Sequence, residues 1–115
     1  MGGITGVASA DVENSSNGTE TAQGGAISNT GNSAEDICIA GVAGWNNAKK
    51  ISSCFNKADV TNSGNAVNIA AGGVVGWSSV GSSYEGTNTS SGNISNTGEA
   101  SGNAYTGEVI GHQAE

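Results

Sequence analysis

The sequence predicts an all-β fold, a parallel β-solenoid of about three repeats of roughly 35 residues each, without fixing the handedness of the coil. A four-residue phrase, here called the anchor, recurs with starts 38, 32 and 35 residues apart. Spacings of this size are typical of solenoids, propellers and arrays. The anchors are residues 3–6, 41–44, 73–76 and 108–111.

A second phrase supports the same period. Ile-Ser-Asn-Thr-Gly occurs at residues 27–31 and at 94–98, and each copy begins 14 residues before the next anchor. Because two phrases share one register, we interpret the period as structural. We delimit a single repeat domain, 1–115, with repeats at about 2–39, 40–71 and 72–106 and a partial fourth at 107–115. We expect it to be a fragment of a longer array.

The composition departs from that of an ordinary globular enzyme. Only 11% of the residues are charged, against about 25% in typical domains, and the chain has 20 glycines and no proline. Such a composition is also found in disordered segments, but here apolar pairs recur at fixed spacing. The sequence therefore predicts an ordered chain with a thin core.

The charge balance excludes some classes of partner. Three lysines, no arginine and ten carboxylates give a net charge of −7. Because three cations can neutralise only a few phosphates, nucleic acids and anionic membranes are not expected partners. No segment approaches the ~20 apolar residues that span a bilayer, and the first residues do not resemble a signal peptide.

Short bursts of β-branched and alternating residues, separated by Gly, Asn and Ser clusters, predict strands rather than helices. Each repeat offers an anchor strand, then a second strand around Val12, Ile51 or Tyr84. A last strand, such as 36–39 or 66–70, returns to the next anchor, and 59–61 forms another burst. No single repeat can bury its apolar face, so the repeats must stack.

Stacked parallel coils place equivalent side chains about 4.8 Å apart, so columns can be predicted from the alignment. The flanking glycines permit a positive φ at corners, and the Asn-rich turns suit left-handed corners and hydrogen bonds between coils. One column should form an inward aliphatic ladder: Ile4, Val42, Val74 and Val109.

Three segments of the chain resemble a known family. Ala-Gly-Val-Ala-Gly-Trp at 40–45, Gly-Gly-Val-Val-Gly-Trp at 72–77 and Ile-Ser-Ser-Cys-Phe-Asn at 51–56 resemble the GLUG motif. That motif reads Gly-Gly-Leu/Ile-Val-Gly-Tyr/Asn, then Ile-x-Asn-Cys-Tyr-Asn-Thr-Gly. The chain departs from it where Ser15 and Ser16 replace the Cys-aromatic step, and where Glu108 replaces an anchor glycine.

The resemblance implies a β-solenoid for display or adhesion. GLUG motifs occur in arrays on large bacterial surface proteins, including adhesins and non-catalytic parts of immunoglobulin A peptidases, so an extracellular or cell-surface location is implied. It provides no catalytic residues and no cofactor. The residues agree with a non-enzyme, since the chain has no Gly-x-Ser-x-Gly elbow and its one histidine, His112, lacks ligands at metal spacing.

The column after the anchor allows two interpretations of its indoles, Trp45 and Trp77. They could form an exposed stripe that stacks on sugar rings, which makes them the candidate ligand-binding residues for glycans or host surface proteins. They could instead form an internal or corner ladder, which we favour because large residues are scarce in this core. The column contains Val7, Trp45, Trp77 and His112.

The two cysteines allow a disulfide in an exported protein or two free thiols. Cys54 lies where the motif uses a small apolar filler, and Cys38 lies between Ile37 and Ile39 on a different strand. Alternation makes Cys38 face opposite to those isoleucines. We therefore favour two free, mostly buried thiols.

Three further hypotheses receive less support. Calcium binding at Glu35 and Asp36 is disfavoured because the pair stands alone and calcium needs six or more oxygens. An ice-binding face of Thr-x-Thr steps at 19–21 and 87–89 is interrupted by Asp-Val-Thr at 59–61. Head-to-tail self-association into a filament is expected if both ends expose unpaired strands.

Overall fold

The computed structural model describes residues 1–19 and 21–115, and this part of the chain forms strands and turns but no helix. The fold is a parallel β-solenoid of about three coils. Each coil contributes one strand to each of five sheets, and every strand pairing between coils is parallel. The all-β solenoid that the sequence predicts is therefore confirmed.

The strands are short, and their bounds follow the repeats. Coil 1 contains β1 (Thr5–Ala8), β2 (Val12–Glu13), β3 (Ser16–Asn17), β4 (Ile27–Asn29) and β5 (Asp36–Ala40). Coil 2 contains β6 (Ala43–Asn46), β7 (Lys50–Ser52), β8 (Phe55–Asn56), β9 (Val60–Asn62) and β10 (Asn68–Gly72). Coil 3 contains β11 (Val75–Ser78), β12 (Ser83–Glu85), β13 (Thr89–Ser90), β14 (Ile94–Asn96) and β15 (Ala104–Gly107), and β16 (Ile110–Gln113) begins a fourth coil.

The register between coils is regular. Sheet 1 is β1-β6-β11-β16, sheet 2 is β2-β7-β12, sheet 3 is β3-β8-β13, sheet 4 is β4-β9-β14 and sheet 5 is β5-β10-β15. Gly2 bridges to Ala40, Ala40 pairs with Gly72, and Gly72 pairs with Gly107. These four residues are the first residues of the repeats delimited from the sequence.

Each coil has five strands, whereas the sequence analysis placed three named strands in a repeat. The additional sheet 3 consists of two-residue strands, which no periodicity can reveal. It begins just after a left-handed corner that recurs in every coil. Asn14, Ser53 and Gly86 occupy this corner with φ of 51°, 52° and 63°, so the chain turns at the same point on each level.

The expected aliphatic ladder is continuous but not uniformly buried. Backbone hydrogen bonds link Ile4 to Val42, Val42 to Val74 and Val74 to Val109. Val42 and Val74 are fully buried, and Val109 packs against the same cluster. Ile4 departs from the expectation because it is 47% exposed: coil 1 is an end coil, so only coil 2 covers it.

The apolar interior is divided into two clusters. One includes Val42, Ile51 and Val74 and lies between sheets 1 and 2, whereas the other includes Ile39 and Ile69 and lies between sheets 4 and 5. Most of the fully buried residues belong to coil 2. The core is thin, and it depends on contacts between adjacent coils.

On sheet 4, asparagine side chains of consecutive coils form a hydrogen-bonded ladder beside the apolar clusters. Asn29 Nδ2 donates to Asn62 Oδ1 at 2.8 Å, and Asn62 Nδ2 donates to Asn96 Oδ1 at 2.7 Å. Each amide also closes its own turn on the glycine two residues later. Every buried side-chain nitrogen or oxygen among the described residues has a hydrogen-bond partner, so this polar interior is satisfied.

The threonine steps considered for ice binding lie in different sheets. Thr89 pairs with Phe55 in sheet 3, whereas Thr61 pairs with Ser28 and Ser95 in sheet 4. The step at 19–21 follows β3, and its central residue, Glu20, lies outside the described residues. The steps therefore do not form one row across the stack.

A lysine links three coils on the outer surface. Lys50 Nζ lies 2.7 Å from Glu13 Oε1 and 3.9 Å from Glu85 Oε2. The hydrogen bond and charge of Glu13, followed by the charge of Glu85, raise the pKa of Lys50. These groups are solvent-exposed, so the contribution of the two ion pairs to stability is small.

Candidate functional site

The column that follows the anchors faces outward. Val7 pairs with Trp45, Trp45 with Trp77, and Trp77 with His112 along sheet 1. Trp45 is 41% exposed, whereas the next residue, Asn46, is fully buried. Of the favoured internal or corner ladder, the internal placement is wrong for Trp45, because alternation along β6 directs Asn46 to the interior and the indole to the surface.

Trp45 borders a shallow groove of about 270 Å³ on this surface. Val7 and Cys38 also line the groove, and Glu35 and Asp36 bring two carboxylates to it. The indole Nε1 of Trp45 donates to Ser79 Oγ at 2.6 Å. This hydrogen bond orients the ring at the edge of a groove that the two carboxylates also line.

Trp77 belongs to a separate cluster of rings one coil further along. His112 stacks on Tyr105 with ring centroids 4.0 Å apart, and its centroid is 4.5 Å from that of Trp77. Trp77 and Tyr105 meet edge to face at 6.4 Å. Trp77 is thus partly covered, and the column contains one accessible indole and one packed indole.

The sequence analysis missed Tyr105, although a signal was present. Tyr105 pairs with Ala70 in sheet 5, and Ala70 pairs with Cys38. This second column lies seven residues before the aromatic column in every coil, as Tyr105 lies before His112. The two columns therefore face each other across the anchor. An alignment of the strand before each anchor identifies Tyr105 as the aromatic member.

Both cysteine thiols are free, as the sequence analysis favoured. Cys54 is fully buried, and its Sγ lies 3.4 Å from the carbonyl oxygen of Ser52. Cys38 is half-buried beside the groove. Burial, with a smaller contribution from the Asp36 carboxylate, raises the pKa of Cys38 to about 11, so this thiol is protonated at neutral pH.

Two kinds of feature are absent from the described residues. No group of three or more His, Cys, Asp or Glu side chains in this part of the chain is placed to hold a metal ion. Among the same residues, no helix has the length and apolar character that a membrane span requires.

Comparisons with protein-family models, with curated protein sequences and with solved structures found no match to this chain.

Proposed function

We propose that this chain is a non-catalytic structural module, which spaces or displays other parts of an extracellular bacterial surface protein in the manner of an adhesin stalk. The supporting observation is the register: every coil contributes a paired strand to each of five sheets, and continuous ladders join the coils. Such stacks are stabilised by nearest-neighbour contacts and can be extended coil by coil. The surface-protein setting rests on the resemblance to the GLUG motif.

A binding screen tests this function. The fluorescently labelled 115-residue protein is applied to an array of host and microbial glycans and to immobilised host surface proteins. We expect no saturable binding, because a spacer needs no ligand of its own. Saturable binding to one ligand by the folded protein, lost after unfolding in urea, would overturn a purely structural role.

The exposed indole favours a second candidate, a glycan-binding adhesive module. The Trp45 ring offers a flat face to the C–H groups of a sugar, and the Glu35 and Asp36 carboxylates that line the same groove can accept hydrogen bonds from its hydroxyl groups. A site of this kind combines one apolar platform with a few oriented polar groups.

Trp45→Ala distinguishes the two candidates. If the module binds glycans, this change abolishes binding and leaves the urea midpoint nearly unchanged, because Trp45 lies outside the core clusters. Val80→Ala is the matched control, since Val80 is 63% exposed and does not line the groove. Binding that survives Trp45→Ala would exclude the indole as the platform.

A further inference from the structure

The two faces of the stack carry different residues. The N-terminal face is the outer side of coil 1, and the C-terminal face is the outer side of coil 3 and β16. Within the stack, a coil contacts its neighbour through glycines and hydrogen-bonded amides. Whether a face carries these same features indicates whether it can accept another coil.

On the N-terminal face, Gly31 and Gly6 have room for a Cβ, whereas the equivalent glycines inside the stack do not. A Cβ at Gly64 would lie 2.0 Å from the carbonyl oxygen of Gly31, and a Cβ at Gly98 would lie 2.0 Å from that of Gly64. At Gly31, which begins this column, the nearest described atom is Asn29 Oδ1 at 3.7 Å. A Cβ at Gly6 would have no described atom within 4 Å, apart from its chain neighbours. These positions therefore leave room for a preceding coil.

Apolar side chains on this face are also uncovered. Ile4 is 47% exposed and Val7 is 50% exposed, whereas Val42 and Val74 in the column of Ile4 are fully buried. A coil stacked on the N-terminal face would cover Ile4 on its second side, as coil 1 and coil 3 cover Val42 on both sides. Burial of such side chains is the main stabilising term in coil stacking.

The asparagine ladder has a free acceptor position on the same face. Asn62 Oδ1 accepts from Gly64 N at 3.2 Å and from Asn29 Nδ2 at 2.8 Å. Asn29 Oδ1 accepts from Gly31 N at 3.3 Å, within its own turn. A preceding coil with an amide in this column could donate to Asn29 as Asn29 donates to Asn62.

On the C-terminal face, one column of glycines ends in a residue whose side chain leaves no room for another coil. A Cβ at Gly3 would lie 2.2 Å from Gly41 O, and a Cβ at Gly73 would lie 2.1 Å from Glu108 O, which is the carbonyl of the next coil. Glu108 is the next member of this column, and it carries a Cβ and a charged side chain. Its Cβ occupies the place where the carbonyl oxygen of another in-register coil would lie.

We propose that the N-terminal face is an interaction surface for a parallel β-coil with an Asn-x-Gly turn, and that stacking in this register ends at Glu108. The partner coil is not supplied by the C-terminal face of a second copy, because that face carries Glu108. Head-to-tail growth of identical chains is therefore not expected. The inference rests on the fold alone, so it stands or fails separately from the proposed function.

An extended chain tests this surface. Residues 40–71, which contain the Asn-x-Gly turn of coil 2, replace Met1, so that Ala71 precedes Gly2 as it precedes Gly72 in the native chain. We expect amide hydrogen exchange in β1, β2 and β4 to slow by about tenfold or more, because these strands would become internal. An extension of the same composition in shuffled order is the control and should leave the exchange rates unchanged.

Gly31→Ala makes the test specific. In the native chain its Cβ would make only an ordinary contact with Asn29 Oδ1 at 3.7 Å, so the urea midpoint and the exchange of coil 1 should not change. In the extended chain the same Cβ would meet a carbonyl oxygen, as a Cβ at Gly64 would, and the slowing should be lost. The proposal is overturned if the extension fails to slow exchange, if the shuffled extension slows it equally, or if Gly31→Ala has no effect in the extended chain.

Discussion

Glycine in this solenoid more often avoids a collision between a Cβ and the neighbouring coil than it provides a positive φ. Of the 20 glycines, Gly18, Gly81 and Gly86 have a positive φ among the described residues. Gly41 and Gly73 instead face a carbonyl oxygen of the next coil at 2.5 and 2.1 Å from an added Cβ. The anchor glycines therefore allow the coils to approach to the spacing that their backbone hydrogen bonds require.

Gly73→Ala tests this role. The added Cβ would collide with Glu108 O and, at 2.2 Å, with Ser90 Oγ. We expect the free energy of unfolding, measured with urea, to fall by about 1–3 kcal/mol, as in overpacked cores. Gly6→Ala is the control, and we expect it to change stability by less than about 0.5 kcal/mol. Equal effects of the two changes would contradict the steric explanation.

Cys38 gives a prediction about reactivity. Since its pKa is raised to about 11 and the thiolate is the nucleophile, alkylation by iodoacetamide at pH 8 should be roughly two orders of magnitude slower than for a free cysteine. The rate should rise about tenfold per pH unit up to pH 10. Protein unfolded in urea is the control, and equally fast alkylation of the folded protein at pH 8 would contradict the prediction.

At the scale of the elements, side-chain ladders hold together strands of two to five residues. Such strands make few backbone hydrogen bonds each, so the amide ladder of Asn29, Asn62 and Asn96 adds bonds between coils where the turns begin. Asn62 is the central member and is 2% exposed. Its amide satisfies groups in both adjacent coils and in its own turn.

Asn62→Ala should therefore cost more than the same change at the end of the ladder. It leaves one N–H of Asn29 Nδ2 and both buried Gly64 backbone groups without the partner that Asn62 provides, while Asn96 Oδ1 keeps only its bond from Gly98 N. We expect a loss of about 2–3 kcal/mol in urea unfolding. Asn29→Ala should cost clearly less because Asn29 is half-buried and has a neighbouring coil on one side only. Similar losses for the two variants would contradict a cooperative ladder.

The sequence predicted the elements that carry a period and missed those that do not. The anchor spacing was sufficient to predict the stacking, the strands around Val12, Ile51 and Tyr84, and the pairing of Trp45 with Trp77. It could not reveal two-residue strands such as β8. Nor could it reveal the face of the indoles, because bulky residues in a small-residue chain suit the interior and the surface equally well.

The candidate site shows the same limit. Trp45 and Trp77 were identified, but the groove beside Trp45 also contains Glu35 and Asp36, which lie next to the indole only because sheet 5 and sheet 1 meet at the anchor. Contacts between sheets depend on the path of the corner. No period in the sequence specifies that path.

At the scale of the whole molecule, cohesion is concentrated in the middle of a thin stack. The molecule measures 35 × 32 × 18 Å, and four strands at about 4.8 Å spacing account for much of the shortest dimension. Coil 2 is covered on both sides and contains the fully buried Ile51, Val60 and Ile69. Aliphatic and amide ladders hold the coils together, while the aromatic column lies on the outer surface with Trp45 as its exposed indole.

Fluorescence of Trp45 in the Trp77→Phe variant tests this claim most directly. Because Trp45 is 41% exposed, we expect emission shifted toward that of a solvated indole, quenching by acrylamide, and no change when host and microbial glycans are added. Blue-shifted emission protected from acrylamide would place the indole in the core and contradict the outward column. Quenching that one glycan suppresses in a saturable way would contradict the purely structural role and identify an adhesive site.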